Sequence, residues 1–148
     1  MKEKIIFSIS IAVILIALMF LTTLPPKNAD TIKFDTVLIG EYSGISEKDI
    51  FVINTKEEWN TFIGKIKNDP EYNENIDFDE KYTFIAVTMG ENQTKGYSIE
   101  IKEVYAFKDY VKLYVIQEIP CAGFDYETQI TRPFHIIKIA KTYKTIRR

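Results

Sequence analysis

The stretch TRPFHIIKIAK, residues 131–141, decides the fold of this chain. Residues 134–140 are mostly apolar, and an apolar run of this length beginning just after a proline is typical of a β-strand. Pro133 suits the start of a strand, because it fixes φ and carries no N–H for the ladder. The stretch therefore predicts the last strand of the domain. His135, the only histidine in the chain, is either part of that strand's packing or the centre of an active site.

The residues before this strand predict a long antiparallel hairpin. Apolar and polar side chains alternate along GYSIEIKEVYAF, residues 96–107, until two polar residues adjoin at Lys102 and Glu103. One extra residue in a strand reverses which side chains face inward, so we expect a β-bulge or a bend there. Residues 108–109 fit a tight turn, and the alternating run YVKLYVIQEIP, residues 110–120, predicts the second strand.

Three further strands and one helix are expected upstream. YTFIAVTMG, residues 82–90, is a nearly continuous apolar run that suits a strand covered on both faces. TVLIGEYSGI, residues 36–45, and DIFVINT, residues 49–55, predict two shorter strands. Thr55 and Glu58 have the spacing of a capping box, which predicts that a helix begins between them.

The helix has a clear apolar face and a clear end. Its apolar side chains fall at i, i+3, i+4 and i+7, which aligns them on one side to cover a sheet. Pro70 disfavours helical geometry at the preceding residue, so we expect the helix to end near Asn68. The four apolar residues are Trp59, Phe62, Ile63 and Ile66.

These elements predict an α+β domain. We expect a mostly antiparallel β-sheet or partial barrel of five to seven strands with one covering helix. Residues 37–148 form a single domain of a size that can bury a core, and residues 27–36 form a short tether before it. Cys121 is the only cysteine, so no intrachain disulfide contributes to stability.

The segment from residue 69 to residue 81 is acidic and irregular. Its carboxylates could be imagined as calcium ligands, but no glycine occupies the sharp-turn position and the oxygen ligands lack the spacing of a calcium-binding loop. A solvated acidic loop is the favoured interpretation. The carboxylates are Asp69, Glu71, Glu74, Asp77, Asp79 and Glu80.

Residues 1–26 predict a membrane anchor or a signal segment. Ile5 to Leu24 holds no charged residue and is long enough to cross a hydrocarbon core of roughly 30 Å as a helix. Lys2 and Lys4 precede it, which favours a cytoplasmic N-terminus and an extracytoplasmic domain. The apolar run is longer than that of a usual signal peptide and no small-x-small cleavage pattern follows it, so we expect an uncleaved anchor. Cleavage would instead give a secreted protein.

Composition and motifs argue against most catalytic and nucleic-acid functions. The formal net charge is -2, whereas a nucleic-acid binder needs a clustered cationic surface. One cysteine and one histidine cannot supply a zinc site, and the scattered glycines form no phosphate loop. Cys121 and His135 remain the only nucleophile and base that could meet. We therefore expect a protein with no catalytic activity, cofactor or metal.

The single histidine and the tyrosines have structural interpretations as well as functional ones. A histidine on a strand most often hydrogen-bonds a nearby oxygen, although a pH-sensitive or interface role is the alternative. The structural interpretation of the tyrosines is that they pack in the core and on the sheet surface. The functional alternative is an exposed tyrosine-rich face that binds a protein. These tyrosines are Tyr97, Tyr105, Tyr110, Tyr114 and Tyr126.

Taken together, KGYSIEIKEV, YVKLYVIQEIP and TRPFHIIKIAK resemble the C-terminal domain of PrcB-type protease complex subunits. The family pattern has a Gly-Gly-Tyr-Ser-Ile-x-Ile start, a Pro and a Gly after the next strand, and a Thr-x-Pro-Tyr-His strand near the end. The resemblance covers residues 95–141, and residues 50–94 more loosely. The matching residues are Gly96, Tyr97, Ser98, Ile99, Ile101, Pro120, Gly123, Thr131, Pro133 and His135.

The chain departs from that pattern at three points. Lys95 replaces the first glycine, Phe134 replaces the tyrosine, and Cys121 with Ala122 enlarges the step between the proline and the glycine. The resemblance implies a non-catalytic accessory that stabilises or assembles a secreted or surface protease. Some relatives carry a lipid anchor, for which the segment 5–24 would substitute here.

Three functional hypotheses follow. The first is a membrane-tethered extracytoplasmic domain that binds a protein, such as a protease, through a sheet edge or a tyrosine-rich face. The second is a small protease inhibitor that presents the loops 90–96 and 120–129 to an active-site cleft. The third is an unrecognised enzyme that uses Cys121 and His135.

Overall fold

The computed structural model describes residues 26–72 and 76–148. These residues form eight strands and one helix in two four-stranded sheets. The elements are β1 (Asp30–Thr31), β2 (Asp35–Gly40), β3 (Ile50–Ile53), α1 (Lys56–Ile66), β4 (Tyr82–Thr88), β5 (Ser98–Ala106), β6 (Tyr110–Glu118), β7 (Phe134–Ala140) and β8 (Thr145–Arg147). The central sheet has the strand order β2-β7-β4-β3, and the outer sheet has the order β1-β5-β6-β8.

The domain has three layers, with the central sheet between α1 and the outer sheet. β7 lies inside the central sheet, where it pairs antiparallel with both β2 and β4. Its alternate side chains face opposite layers: Phe134 and Ile136 join the core under α1, and Ile137 and Ile139 join the core between the sheets. Because both faces of β4 and β7 are covered, their sequences are almost continuously apolar.

The helix α1 begins and packs as its sequence predicts. The Thr55 hydroxyl accepts the Glu58 N–H at 3.2 Å, and the Glu58 carboxylate accepts the Thr55 N–H at 3.1 Å, which completes the capping box. Trp59 is buried against Phe84, with ring centroids 4.7 Å apart. The helix ends at Ile66, two residues before the predicted end.

The predicted hairpin and its bulge are confirmed. β5 and β6 pair antiparallel across the turn at residues 107–109, and the register shifts between Ile101 and Glu103. Lys102 is the extra residue, as the break in alternation predicts. A second irregularity lies in β2, between Thr36 and Leu38.

The predicted architecture needs four corrections. The strands form two stacked sheets, so the partial barrel is wrong, and the described residues contain eight strands where five to seven were expected. β7 is not the last strand, because β8 follows it and pairs parallel with β6. Residues 27–36, expected as a tether, contain β1 and the start of β2. Two-residue and three-residue edge strands such as β1 and β8 are too short to show a periodic pattern.

The predicted membrane or signal segment, residues 1–26, lies outside the described residues except for Pro26. Among the residues that the structure describes, no helix is both long enough and apolar enough to cross a membrane.

The capping box predicts the cost of removing its hydroxyl. Thr55→Ala should lower the free energy of unfolding by about 1 kcal/mol, because an amide of the first turn loses its acceptor. Thr61→Ala is the matched control: Thr61 is exposed in the middle of α1 and its hydroxyl bonds only the Glu57 carbonyl, so stability should change by less than about 0.5 kcal/mol. Urea denaturation measures both, and equal effects would contradict this account of the helix start.

Candidate interaction surface

His135 connects three strands of two different sheets. It lies on β7 with 1% of its surface exposed. Its Nδ1 accepts the backbone N–H of Ile101 on β5 at 2.9 Å, and its Nε2 lies 3.0 Å from the hydroxyl of Thr36 on β2. Since Nδ1 is an acceptor, the ring proton is on Nε2, which donates to Thr36. The imidazole thus holds the central and outer sheets together at the two places where strand register shifts.

The environment of His135 favours its neutral form. Burial lowers the pKa of the imidazole from 6.5 to about 4, and the charge of Lys102 acts in the same direction, whereas Glu100 acts against it. A proton on Nδ1 would also point at the Ile101 N–H and break that hydrogen bond. Both ring nitrogens therefore carry structural bonds at neutral pH, while the Cys121 thiol is exposed on a loop.

The residues just before β7 join two loops. Thr131 exchanges both backbone hydrogen bonds with Asn92, at 2.8 and 2.9 Å, and its hydroxyl donates to the Thr94 carbonyl at 3.1 Å. Arg132 donates its backbone N–H to the Glu41 carbonyl at 2.7 Å and its guanidinium to the Glu91 carboxylate at 2.6 Å. This stretch therefore fixes the loops 41–45 and 89–96 against each other. The backbone of both loops is held in place where they reach the surface, next to the start of β7.

Gly96 permits a close contact that no other residue would allow. Its φ is +94°, and a Cβ there would lie 2.7 Å from the ring of Tyr126 and 3.3 Å from Pro120. The Tyr126 hydroxyl accepts the Cys121 N–H at 3.0 Å. The side chain of Lys95 bonds the Glu127 carboxylate at 2.7 Å. These contacts tie the crossover loop, residues 119–130, to the start of β5.

A cleft of about 500 Å³ opens beside this tie. Three of the residues in the family pattern, Tyr97, Ser98 and Pro133, contribute to its wall. Tyr42 also lines the cleft, so two tyrosines contribute to its wall. The remaining lining residues are Ile39, Gly40, Glu41, Asp69, Pro70 and Glu71. The cleft is therefore aromatic and acidic, and none of the described residues that line it is a lysine or an arginine.

Asp69 is the exception to the interpretation of the acidic segment as a solvated loop, since the described carboxylates of Glu71, Asp77, Asp79 and Glu80 are exposed. Its side chain is 4% exposed, and its two carboxylate oxygens accept the backbone N–H groups of Tyr42 at 2.7 Å and Glu71 at 2.8 Å. Gly40 makes room for it, because a Cβ there would approach the carboxylate to 2.6 Å. No periodic pattern marks this residue, since the partners of its carboxylate are backbone amides, one of them 27 positions away. Asn73, Glu74 and Asn75 lie outside the described residues.

The crossover loop exposes three large apolar side chains. Phe124 is 72% exposed, Ile119 is 70% exposed and Ile130 is 47% exposed. The loop is held at Gly96, whose next two residues line the cleft, whereas the three apolar side chains are not among the residues that line it. Isolated exposed apolar residues are common, but three on one anchored loop beside a cleft are typical of a protein-binding surface. The sequence predicted that the loop 120–129 could contact a protease, but no pattern in it identified Ile119, Phe124 and Ile130 as exposed.

The tyrosines do not gather on one face. Tyr97 lines the cleft, Tyr126 packs on Gly96, and Tyr114 is 54% exposed on the outer sheet. Tyr105 is buried and donates to the Glu103 carboxylate, which with burial raises the pKa of its hydroxyl to about 12. Tyr110 stacks on Phe107 at the hairpin turn, with ring centroids 4.6 Å apart. A continuous tyrosine-rich face is therefore wrong.

The other residues of the family pattern have distinct places. Ile99 and Ile101 lie in the core between the sheets. Gly123 has φ +89° in the crossover loop, and a Cβ there would meet no atom within 4 Å. Within residues 26–72 and 76–148, no three histidine, cysteine or carboxylate side chains come close enough to hold a metal ion.

One comparison with known proteins gives a match. The family model described as PrcB C-terminal matches residues 83–140, which run from β4 through the hairpin and the crossover loop to the end of β7. The resemblance expected from the sequence over residues 95–141 is thereby confirmed and extends upstream to β4. No curated protein and no solved structure shows significant similarity to the chain.

The pKa of His135 predicts a pH dependence of stability. Between pH 6.5 and about 4 the unfolded chain binds a proton that the folded chain excludes, so the free energy of unfolding should fall as the pH falls through this window, by roughly 3 kcal/mol in full. His135→Gln keeps an acceptor near Ile101 without a titrating group, so it should lack this contribution. Urea denaturation across pH 4 to 7 compares the two proteins, and parallel curves would refute the assignment.

Gly96 and Gly123, two of the three described glycines with positive φ, predict different costs of substitution. Gly123→Ala should lower the free energy of unfolding by about 1–2 kcal/mol, because only backbone strain opposes it. Gly96→Ala adds a collision with the Tyr126 ring to the same strain, and should cost about 1–3 kcal/mol more. Urea denaturation distinguishes them. Equal losses would show that the crossover loop is not held at Gly96.

Proposed function

We propose, from the premise that residues 83–140 belong to the PrcB C-terminal family, that this protein is a non-enzymatic accessory that binds and stabilises a protease complex. The family is associated with such complexes. The observation that carries the proposal is the surface formed by the cleft and the crossover loop, where Phe124 is 72% exposed and Ile119 is 70% exposed on an anchored backbone. Burial of both side chains in a partner would gain several kcal/mol.

The arrangement of the surface supports protein binding. The loop that carries the apolar side chains is anchored next to a cleft whose wall includes Tyr42 and Tyr97. Tyrosines are enriched at protein interfaces because they combine a large apolar area with a polar end. The backbone beneath them is fixed through Gly96, Thr131 and Arg132. A fixed surface loses little conformational entropy when it binds.

The engagement of His135 supports a role without catalysis. Its two nitrogens bond Ile101 and Thr36, so a reaction that used the ring as a base would first break one of these bonds. Cys121 then lacks a partner base, because the chain has no other histidine.

We also propose that the domain works outside the cytoplasm, tethered through residues 5–24. This part of the proposal rests on the uncharged apolar stretch and the lysines before it. The mass of the mature protein tests it: a mass that lacks residues 1–26 would replace the tether by a secreted form.

The test of partner binding uses the full chain in detergent-solubilised membranes of the producing cell. A photo-crosslinking residue at position 124 should capture a protease subunit, which mass spectrometry identifies. Phe124→Asp should reduce capture of that subunit by at least about tenfold in a pull-down, since it places a charge in an apolar contact. Tyr143→Asp is the matched control, because Tyr143 is 86% exposed and the whole length of β7 separates it from the loop. Equal capture by both variants, or no protease subunit, would contradict the proposal.

A second function is favoured by the same loop. The crossover loop and the loop 90–96 are tied together through Lys95 and Glu127, and rigid paired loops are typical of protease inhibitors. The captured protease decides between the two: accessory function predicts that its half-life at elevated temperature lengthens in the presence of this protein, whereas inhibition predicts a loss of peptide cleavage.

A further inference from the structure

The end of the outer sheet opposite the crossover loop is basic, whereas the segment before β4 at the same end of the central sheet carries Asp77, Asp79 and Glu80. This end of the outer sheet consists of the β1 segment (26–31), the β5–β6 turn with the start of β6 (107–112), and the C-terminal segment (144–148). The side chains of these three segments include six cations and two carboxylates. The cations, all exposed, are Lys27, Lys108, Lys112, Lys144, Arg147 and Arg148, and the carboxylates are Asp30 and Asp109.

Pairing and contacts bring these segments together. Asp30 pairs with Ala106 across β1 and β5, and Lys112 pairs with Arg147 across β6 and β8. The Lys144 ammonium donates to the Phe107 carbonyl at 2.8 Å, and the Arg147 guanidinium lies 4.7 Å from the ring centroid of Tyr110. In the described part of the chain, none of the six cations lies within 4.0 Å of a carboxylate oxygen. We call this group of segments the basic end.

The opposite end of the domain, which includes the crossover loop, has an excess of carboxylates, and we call it the acidic end. The loops 41–49, 90–96 and 117–133 carry seven carboxylates and three cations. Lys48 marks that end, since its ammonium bonds Gln117 at 2.9 Å. Tyr110 and Gln117 are seven positions apart on β6, which corresponds to about 23 Å. This separation exceeds two Debye lengths at 0.1 M salt, so a charged surface acts on one end at a time.

We propose that the basic end docks on anionic lipid headgroups. Two features select a lipid surface. The uncharged apolar stretch ends at Leu24, six residues before Asp30, and six residues span at most about 20 Å, so a membrane that holds this stretch lies within reach of the basic end. Phe107 and Tyr110 form an aromatic pair among the cations, which is the composition found at membrane interfaces. The inference rests on the tether in the proposed function, and not on the protease partner.

This orientation has a consequence for the rest of the molecule. With the basic end on the membrane, the cleft and the crossover loop point away from it, because they lie at the acidic end of β5 and β6. Repulsion between the anionic surface and the acidic end favours the same orientation. The membrane thus presents the protein-binding surface to partners in the surrounding medium.

The experiment places the full chain in phospholipid nanodiscs and measures the rate at which each lysine is acetylated. Nanodiscs of phosphatidylcholine alone are compared with nanodiscs of equimolar phosphatidylcholine and phosphatidylglycerol. Lys108 and Lys144 should react about threefold more slowly on the anionic surface, because contact with the headgroups shields them from the reagent. Lys48 should react at the same rate on both. In about 1 M sodium chloride, where the Debye length is about 3 Å, the difference should disappear.

Two variants sharpen the test. Lys108→Glu should abolish the slowing at Lys144, whereas Lys48→Glu, the same charge change at the acidic end, should leave it intact. Equal acetylation of Lys108 on both lipids would overturn the proposal, as would a chain that does not co-purify with nanodiscs. Equal slowing by a single-stranded DNA in detergent would show a contact with any polyanion and would also overturn it. If no protease is captured but acetylation of Lys108 and Lys144 is still slower on anionic nanodiscs, the proposed partner is wrong and the lipid contact is retained.

Discussion

The fold depends on how its two sheets are joined, and His135 is the polar group that joins them. The sheets pack through isoleucine, valine and leucine side chains, which attract without direction. The imidazole adds direction, because Nδ1 must face the Ile101 amide while Nε2 faces Thr36. Loss of the ring would leave a buried N–H without an acceptor, which costs about 1–3 kcal/mol. The hydrogen bonds therefore fix the register of β5 over β7.

The two register shifts give this interaction its geometry. A bulge turns a backbone amide away from its own ladder, and Ile101 lies next to the extra residue Lys102. The shift in β2 lies next to Thr36 in the same way. Ile101 and His135 of the family pattern thus fix how the two sheets stack, and Gly96 holds the crossover loop against the start of β5. This framework supports the cleft and the crossover loop, where we propose that a partner binds.

Sequence reasoning succeeded where side-chain patterns are local and periodic. The helix, its capping box, the bulge at Lys102 and the strands β4 to β7 all follow from alternation or from fixed spacings. It failed where partners are distant or elements are short: β1 and β8 are too brief to show a period, and the burial of Asp69 depends on the backbone of Tyr42. The division into two sheets was also missed, because alternation tells which face is buried but not which layer covers it. The cleft is formed by four segments that are distant in the sequence, so no single stretch of sequence predicts it.

The central claim is that His135 is a neutral structural link between the sheets, and the tautomer of its ring tests this most directly. Long-range nitrogen–proton NMR correlations of the imidazole report which nitrogen carries the proton. The account predicts a proton on Nε2 alone from pH 7 down to about pH 5, with the Ile101 amide protected from exchange over the same range. A proton on Nδ1, or a doubly protonated ring at pH 6, would contradict it.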